Sequence, residues 1–149
     1  MSMQIEGMEQ LRKNLDSFLK DADKEVASAL LSGGKLIEGE AKKRIQETST
    51  GEVVTRYRQG GKSYQHTTSK EGDAPNTDTG ALARSVTTEV EPDGVYVGTN
   101  MEYAPHLEFG TMSMGARPFL NPAKQAKQRD VLRLVATASA EAISRADTN

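Results

Sequence analysis

The sequence predicts an α+β fold: a long N-terminal helix and a C-terminal helix packed on a small antiparallel sheet, with a β-hairpin and loop as an insert. Three observations predict it. Apolar residues recur at steps of three and four over positions 1–47 and again over 121–146, the spacing of one helix face. Within 80–120, short runs alternate apolar and polar residues around a Pro-Asp-Gly turn, the spacing of strands. Residues 48–79 lose both periods and turn to Thr, Ser, Gly, Gln and Asp, the composition of a connecting insert. A chain of 149 residues is long enough for one domain with a core and too short for two ordinary ones, so 1–149 is read as a single domain.

The first helix rests on Ile5, Met8, Leu11, Leu15, Phe18, Ala22, Val26, Ala29, Leu36 and Ile37, with Arg12, Lys13, Asp16, Lys20 and Asp23 on its other sides. The pattern runs to about Glu47. Gly33-Gly34 interrupts it, and each glycine costs roughly 1 kcal/mol relative to alanine inside a helix. Either a kink or a close crossing by another element is expected there.

In the insert, Val53 to Thr67 reads as a hairpin around Gly60-Gly61, because a two-residue primed turn needs the positive φ that glycine supplies. That register sets Tyr57 opposite Tyr64 and Thr55 opposite His66. An aromatic cross-strand pair adds about 0.2–1 kcal/mol, too little to hold a lone hairpin. The hairpin therefore joins a larger sheet or stays mobile until a partner covers it. Ser69 to Thr77, with Gly72, Asp73 and Pro75, reads as a loop.

Further on, Thr79 or Asp78 is placed to cap a short helix through Ala81-Leu82-Ala83-Arg84. Val86 to Val90 alternates as a strand, Glu91-Pro92-Asp93-Gly94 is a type I turn, and Val95-Tyr96-Val97 returns antiparallel. Tyr103 to Phe109 is a third strand or a short helix, its beginning obscured by Pro105. Asn121-Pro122 is a helix start: a side-chain acceptor at the cap, then a residue with no amide hydrogen. Ala123, Ala126, Val131, Leu134, Val135, Ala138, Ala142 and Ile143 form the last stripe, and fraying is expected after Arg145.

The apolar share of 36% and a mean hydropathy of -0.61 are low for a compact monomer. They suit a thin protomer that completes its burial against copies of itself. A net charge of -2 argues against nucleic-acid binding by bulk electrostatics. Residues 80–117 set Arg84 and Arg117 against Glu89, Glu91, Asp93, Glu102 and Glu108, a net of -3. Residues 118–149 set Lys124, Lys127, Arg129, Arg133 and Arg145 against Asp130, Glu141 and Asp147, a net of +2. These parts either meet across a head-to-tail contact or are ordinary solvated faces. With no cysteine, disulfide, thiolate and cysteine-metal chemistry are excluded. Met1 to Gln10 lacks the basic stretch and apolar run of a secretory signal, and no segment approaches the roughly 18 to 20 apolar residues that span a bilayer. A soluble chain with no membrane partner is expected.

Little in the sequence resembles a catalytic arrangement. His66 and His106 lie 40 positions apart, and neither has a zinc-type partner spacing. There is no P-loop, no dinucleotide glycine fingerprint and no nucleophile elbow. No cofactor or metal is expected, and no enzymatic activity. Glu108, between Leu107 and Phe109 and ahead of Gly110-Thr111, is read either as a general base or, in preference, as a structural acceptor. In the structural role it takes hydrogen bonds from the Gly-Thr turn or pairs with Arg117. The cluster Arg56, Tyr57, Arg58, Lys62 and Tyr64 is read first as a docking finger, second as a solvated hairpin, third as a nucleic-acid platform. Met112 and Met114 are either core filler or an adaptable contact surface.

Taken in order, "EAKKRI" at the end of the first helix, "DTGALARSV" from Asp78, Thr79, Gly80 and Leu82, "YAPHLEFGT" from Tyr103 through Glu108, Phe109, Gly110 and Thr111, and "ARPFLNPA" with Arg117, Pro118 and Phe119 resemble the head–tail joining and tail-completion proteins of long-tailed, non-contractile bacteriophages. The resemblance covers nearly the whole chain and is strongest from Asp78 to Ala123. It implies a structural virion protein of the neck. The protein would form a ring of identical subunits, hexameric on the tail side or twelvefold in connectors. Its partners would be head-completion or connector proteins on one side and tail terminator or tail tube proteins on the other. DNA would pass through without sequence-specific binding. Location in the virion, and in the host cytoplasm during assembly, follows from the same resemblance. On this reading the hairpin or the 68–77 loop orders against the next ring, and Glu89, Glu91, Asp93 and Glu102 line the DNA channel. The alternatives are a small hydrolase or nuclease using Glu108 and His106, and an oligomeric adaptor outside any virus.

Overall fold

A computed structural model describes residues 8–47 and 50–146. Helix α1 spans Met8–Glu47, without a break at Gly33-Gly34. Strands β1 (Val53–Tyr57) and β2 (Ser63–Thr67) form one two-stranded antiparallel sheet. Helix α2 is Ala81–Ser85, β3 Val86–Glu91 and β4 Gly94–Thr99, the two strands forming a second antiparallel pair. Helix α3 is Ala104–Phe109 and α4 is Leu120–Ala146. The architecture is thus α+β, two long helices with two small antiparallel sheets. Of the expected α1 stripe, Ile5 lies outside the described residues, as do the side chains of Met8, Leu11 and Phe18. The expected fraying after Arg145 falls, beyond Ala146, outside them too.

At about 1.5 Å per residue, the 40 residues of α1 make a rod of roughly 60 Å. Helix α4 runs antiparallel along it: Lys127 Nζ lies 4.0 Å from Glu40 Oε2, Val131 packs on Gly33, and Arg145 binds Glu25. The glycine pair is the hinge of this packing. A Cβ on Gly33 would stand 2.8 Å from Val131 Cγ1, and one on Gly34 would stand 2.6 Å from Thr88 Cγ2. So α4 crosses on one side of α1 and the β3–β4 sheet on the adjacent side. Of the two expectations at this pair, the close crossing is what forms.

The core lies where the C-terminal half of α1 meets everything after residue 80. Ala41, Ile45, Leu82, Ala83, Val86, Ala104, Phe119 and Ala123 are buried together, with Ile37, Val97 and Leu107 against them. Glu38 Oε2 accepts from Thr88 Oγ1 (2.7 Å) and Lys35 Nζ (2.8 Å), and Oε1 from Lys42 Nζ (2.6 Å), which ties α1 to β3. The 69–77 stretch packs on the body of its own chain. Ala74 is in the core, Gly72 N donates to Ala116 O (2.8 Å), and Thr77 N to Ile45 O (3.1 Å).

Several local expectations are corrected. The β1–β2 hairpin turns through three residues, not two: Arg58 N donates to Lys62 O (2.9 Å) and Gly61 N to Arg58 O (3.1 Å). Tyr57 therefore pairs with Ser63, Arg56 with Tyr64 and Val54 with His66. A slip of one residue reverses faces, so the two tyrosines lie on opposite sides and the aromatic pair does not form. Of the two readings open for Tyr103 to Phe109, the short helix forms, over Ala104–Phe109. Helix α2 has Gly80 as its N-cap with no side-chain cap; Thr79 Oγ1 accepts from Ala81 N at 3.3 Å, and Asp78 is engaged elsewhere. In α4, Ala123 and Ala142 are buried, whereas Ala126, Leu134 and Ile143 face outward.

Candidate protein interface

The sequence motifs first build the frame on which any contact surface is carried. Helix α4 begins at Leu120, one residue before Asn121, so Asn121 does not cap it. Glu108 does. Its Oε2 accepts from Phe119 N (2.8 Å) and Leu120 N (3.0 Å), and its Oε1 from Asn121 N (2.8 Å). A helix start leaves its first four amide groups without partners; here three go to one carboxylate and the fourth residue, Pro122, has no N–H. Glu108 is 7% exposed, and its negative charge sits at the positive end of the helix dipole. With both oxygens held by backbone, it is not placed as a general base, and it does not pair with Arg117. Instead Arg117 Nε donates to Ser69 O (3.3 Å) and Arg117 N to Leu107 O (2.6 Å), which brings the insert against α3. His106 is exposed on α3.

The end of α3 turns at Gly110, whose φ of 76° and ψ of 178° suit glycine alone. A Cβ there would lie 2.9 Å from Met114 O and from Ala116 N. Thr111 Oγ1 accepts from Met114 N (3.1 Å) and Ser113 N (3.3 Å), and Thr111 N donates to Met114 O (2.8 Å). This ordered loop holds out two apolar side chains. Phe109 is 74% exposed and Met112 fully exposed, while Met114 is half-buried and Pro118 packs beside Phe119 at the core edge. The sequence offers Phe109 only as part of the YAPHLEFGT motif. Its position beside Met112 across a Gly-Thr turn was the available sign of display.

The hairpin cluster divides in two. On the face toward the body, Asp78 Oδ2 accepts from Arg56 Nη1 and Tyr64 Oη, each at 2.7 Å, and His66 Nδ1 lies 3.8 Å from Oδ1. The Tyr64 hydroxyl and the Arg56 guanidinium hold the Asp78 carboxyl below the usual carboxylate range, and the same hydrogen bond pushes the Tyr64 hydroxyl up. The Arg58 guanidinium stacks 4.9 Å from the Tyr64 ring centre, a cation–π contact. Arg56 and Tyr64 thus bind Asp78 within the chain and Arg58 stacks on Tyr64, while Arg56, Arg58 and Lys62 remain exposed. Tyr57, on the other face, is 75% exposed.

Further exposed apolar residues lie on the long elements: Val90 and Tyr96 on the β3–β4 hairpin, Leu132 and Ile143 on α4. Leu132, Ala136 and Ile143 follow steps of four and seven, a second stripe on the side away from the buried one, to which Ile143 belongs rather than to the stripe expected for it. Among the described residues no group of three or more His, Asp or Glu side chains is placed to hold a metal ion, and no helix is long and apolar enough to cross a membrane.

The surface carries isolated apolar side chains on turns and helices, Phe109, Met112, Tyr57, Leu132 and Ile143 among them. The chain also matches a family model described as "Bacteriophage HK97-gp10, putative tail-component" over residues 9–110. No curated protein and no solved structure matches it. The matched stretch takes in α1, the hairpin insert, the β3–β4 sheet and α3 up to Gly110. The chain therefore belongs to the HK97-gp10-like family of bacteriophage tail components.

Proposed function

We propose that this phage tail component works at the neck, as a ring of identical subunits that closes the tail and joins it to the head during assembly. The observation that supports this reading is the protomer's surface. It exposes 11,024 Å², against roughly 7,500 Å² for a compact monomer of 16.2 kDa by the usual mass scaling. An excess of roughly 3,500 Å² falls in the range that obligate assemblies bury. The two long helices and the hairpin contribute to that surface, and neighbours in a ring cover part of it. DNA passes through the centre without sequence-specific recognition. Phe109, Met112 and Tyr57 then dock on head-side connector or tail-side terminator proteins.

Complementation of a phage lacking this protein tests the reading. Wild-type chain restores infectious particles. The double variant Phe109→Ser/Met112→Ser, which leaves the core untouched, is expected to yield filled heads and finished tails that stay separate in electron micrographs of the lysate. Particles joined at wild-type frequency would exclude this surface from the joint. Joined particles made without any copy of the chain would end the neck assignment.

A further inference from the structure

We propose that copies of this chain join head to tail through two specific surfaces: the outer face and tip of the β3–β4 hairpin on one copy, and the outward stripe of α4 on the next. This rests on the ring reading above and specifies its contact. On the hairpin, Glu89, Glu91 and the half-exposed Tyr96 share the outer face, with Asp93 exposed at the tip; Val90, 60% exposed, lies near the tip on the face of Thr88 and Val95. Among the described residues no cation pairs with any of the three acids; Asp93 takes only the Tyr96 hydroxyl, at 2.9 Å. On α4, Lys124 and Arg129 are exposed and form no ion pair among the described residues, and Arg133 has only an exposed contact to Asp130 at 3.8 Å. Arg129 and Arg133 lie within one turn of Leu132, with Lys124 about two turns nearer the helix start; Leu132 and Ile143 are each 60% exposed.

The hairpin's outer face thus sets Tyr96 among acids, and the outward side of α4 sets Leu132 beside bases, so the two surfaces carry opposite charge. Contacts of this kind place apolar groups at the centre and charges at the rim, where they set partner choice. Orientation supports a ring as well. Neighbouring helix positions point about 100° apart, and Gly33 faces α4 while Gly34 faces the sheet. The two outer surfaces therefore diverge at an angle rather than back to back, so repeated contacts curve; such a heterologous contact makes a ring where its rotation closes and an open filament where it does not. The excess surface per protomer is large enough to be covered by two such contacts.

Charge reversal on the full chain tests this. One variant carries Glu89→Lys and Glu91→Lys, the other Lys124→Glu and Arg129→Glu; all four sites are exposed, and melting curves check that each variant folds. Self-association is measured by analytical ultracentrifugation and native mass spectrometry. Each variant alone is expected to associate at least about tenfold more weakly than wild type, since like charges then face each other. An equimolar mixture recovers association, as does the fourfold swap in one chain. Wild-type chains that assemble while both variants assemble equally well overturn this contact and leave the ring reading standing. Normal rings with slowed DNA passage in the acid-reversed variant would place Glu89 and Glu91 in the channel instead, and also overturn it. A wild-type chain that stays monomeric at every concentration ends both.

Discussion

Glu108 shows how one side chain can carry a joint. The carboxylate gathers three backbone amides at the start of α4, and so fixes the angle at which a 27-residue helix leaves the core. Glutamine keeps the shape but loses the charge and turns an amide donor toward backbone donors. Glu108→Gln is expected to cost about 2 kcal/mol, a fall of roughly 5 to 8 °C in melting temperature for a chain of this size, read by calorimetry. Asp78 is the corresponding point for the hairpin. Its folded pKa lies below the ordinary 3.8, so its hold on Arg56 and Tyr64 is complete above that value and is lost as pH falls below it. Asp78→Asn should speed hydrogen exchange across β1–β2 at neutral pH and leave the amides of α1 around Ile45 as protected as before. Unchanged hairpin protection would show that the clamp is dispensable. The motif residues were legible as turn and cap types, but their partners were not. Asp78 reaches back 22 positions to Arg56, and no local spacing encodes that.

The elements follow from their own residues except where they touch. Helix α1 is continuous through two glycines because α4 and the β3–β4 sheet press on it there and fill the space that side chains would need. Gly34→Ala would gain about 1 kcal/mol of helix propensity but force a methyl to 2.6 Å from Thr88 Cγ2; overpacking of this kind costs about 1–3 kcal/mol. The net effect expected is a lower urea midpoint. Gly39→Ala meets nothing within 4 Å and is expected to raise the midpoint, by about 0.5–1 kcal/mol. If both substitutions stabilise equally, the close crossing is not tight in solution. The hairpin register went the other way: composition located the turn, but a three-residue connection replaced a two-residue one, and that single residue exchanged the faces of Tyr57 and Tyr64.

At the scale of the whole molecule, the chain has a small core at one end of a rod and long surfaces beyond it. Glu38 joins those parts, because its carboxylate links α1 to Thr88 on β3. Burial pushes its pKa up, but hydrogen bonds from Lys35, Lys42 and Thr88 outweigh that and lower it from 4.5 to about 2. The stabilisation is therefore full above pH 4.5 and lost as pH falls toward 2, a loss of about 2 to 3 kcal/mol after allowing for the exposure of Lys35. Acid titration of thermal stability should show this decline in wild type and a flatter profile in Glu38→Gln. An identical decline in both would assign acid sensitivity to other carboxylates.

By itself the sequence determined where the two long helices and the two hairpins lie, and that the motif order resembles that of phage tail proteins. Periodicity, turn chemistry and composition act over a few residues, so they can be read along a line. Only the tertiary structure decided which amides Glu108 satisfies, which face Tyr57 shows, which side of α4 is left bare, and that Gly33-Gly34 is a crossing rather than a kink. Each of these depends on residues brought together from distant parts of the chain, where steric fit and electrostatic pairing, not local preference, set the outcome.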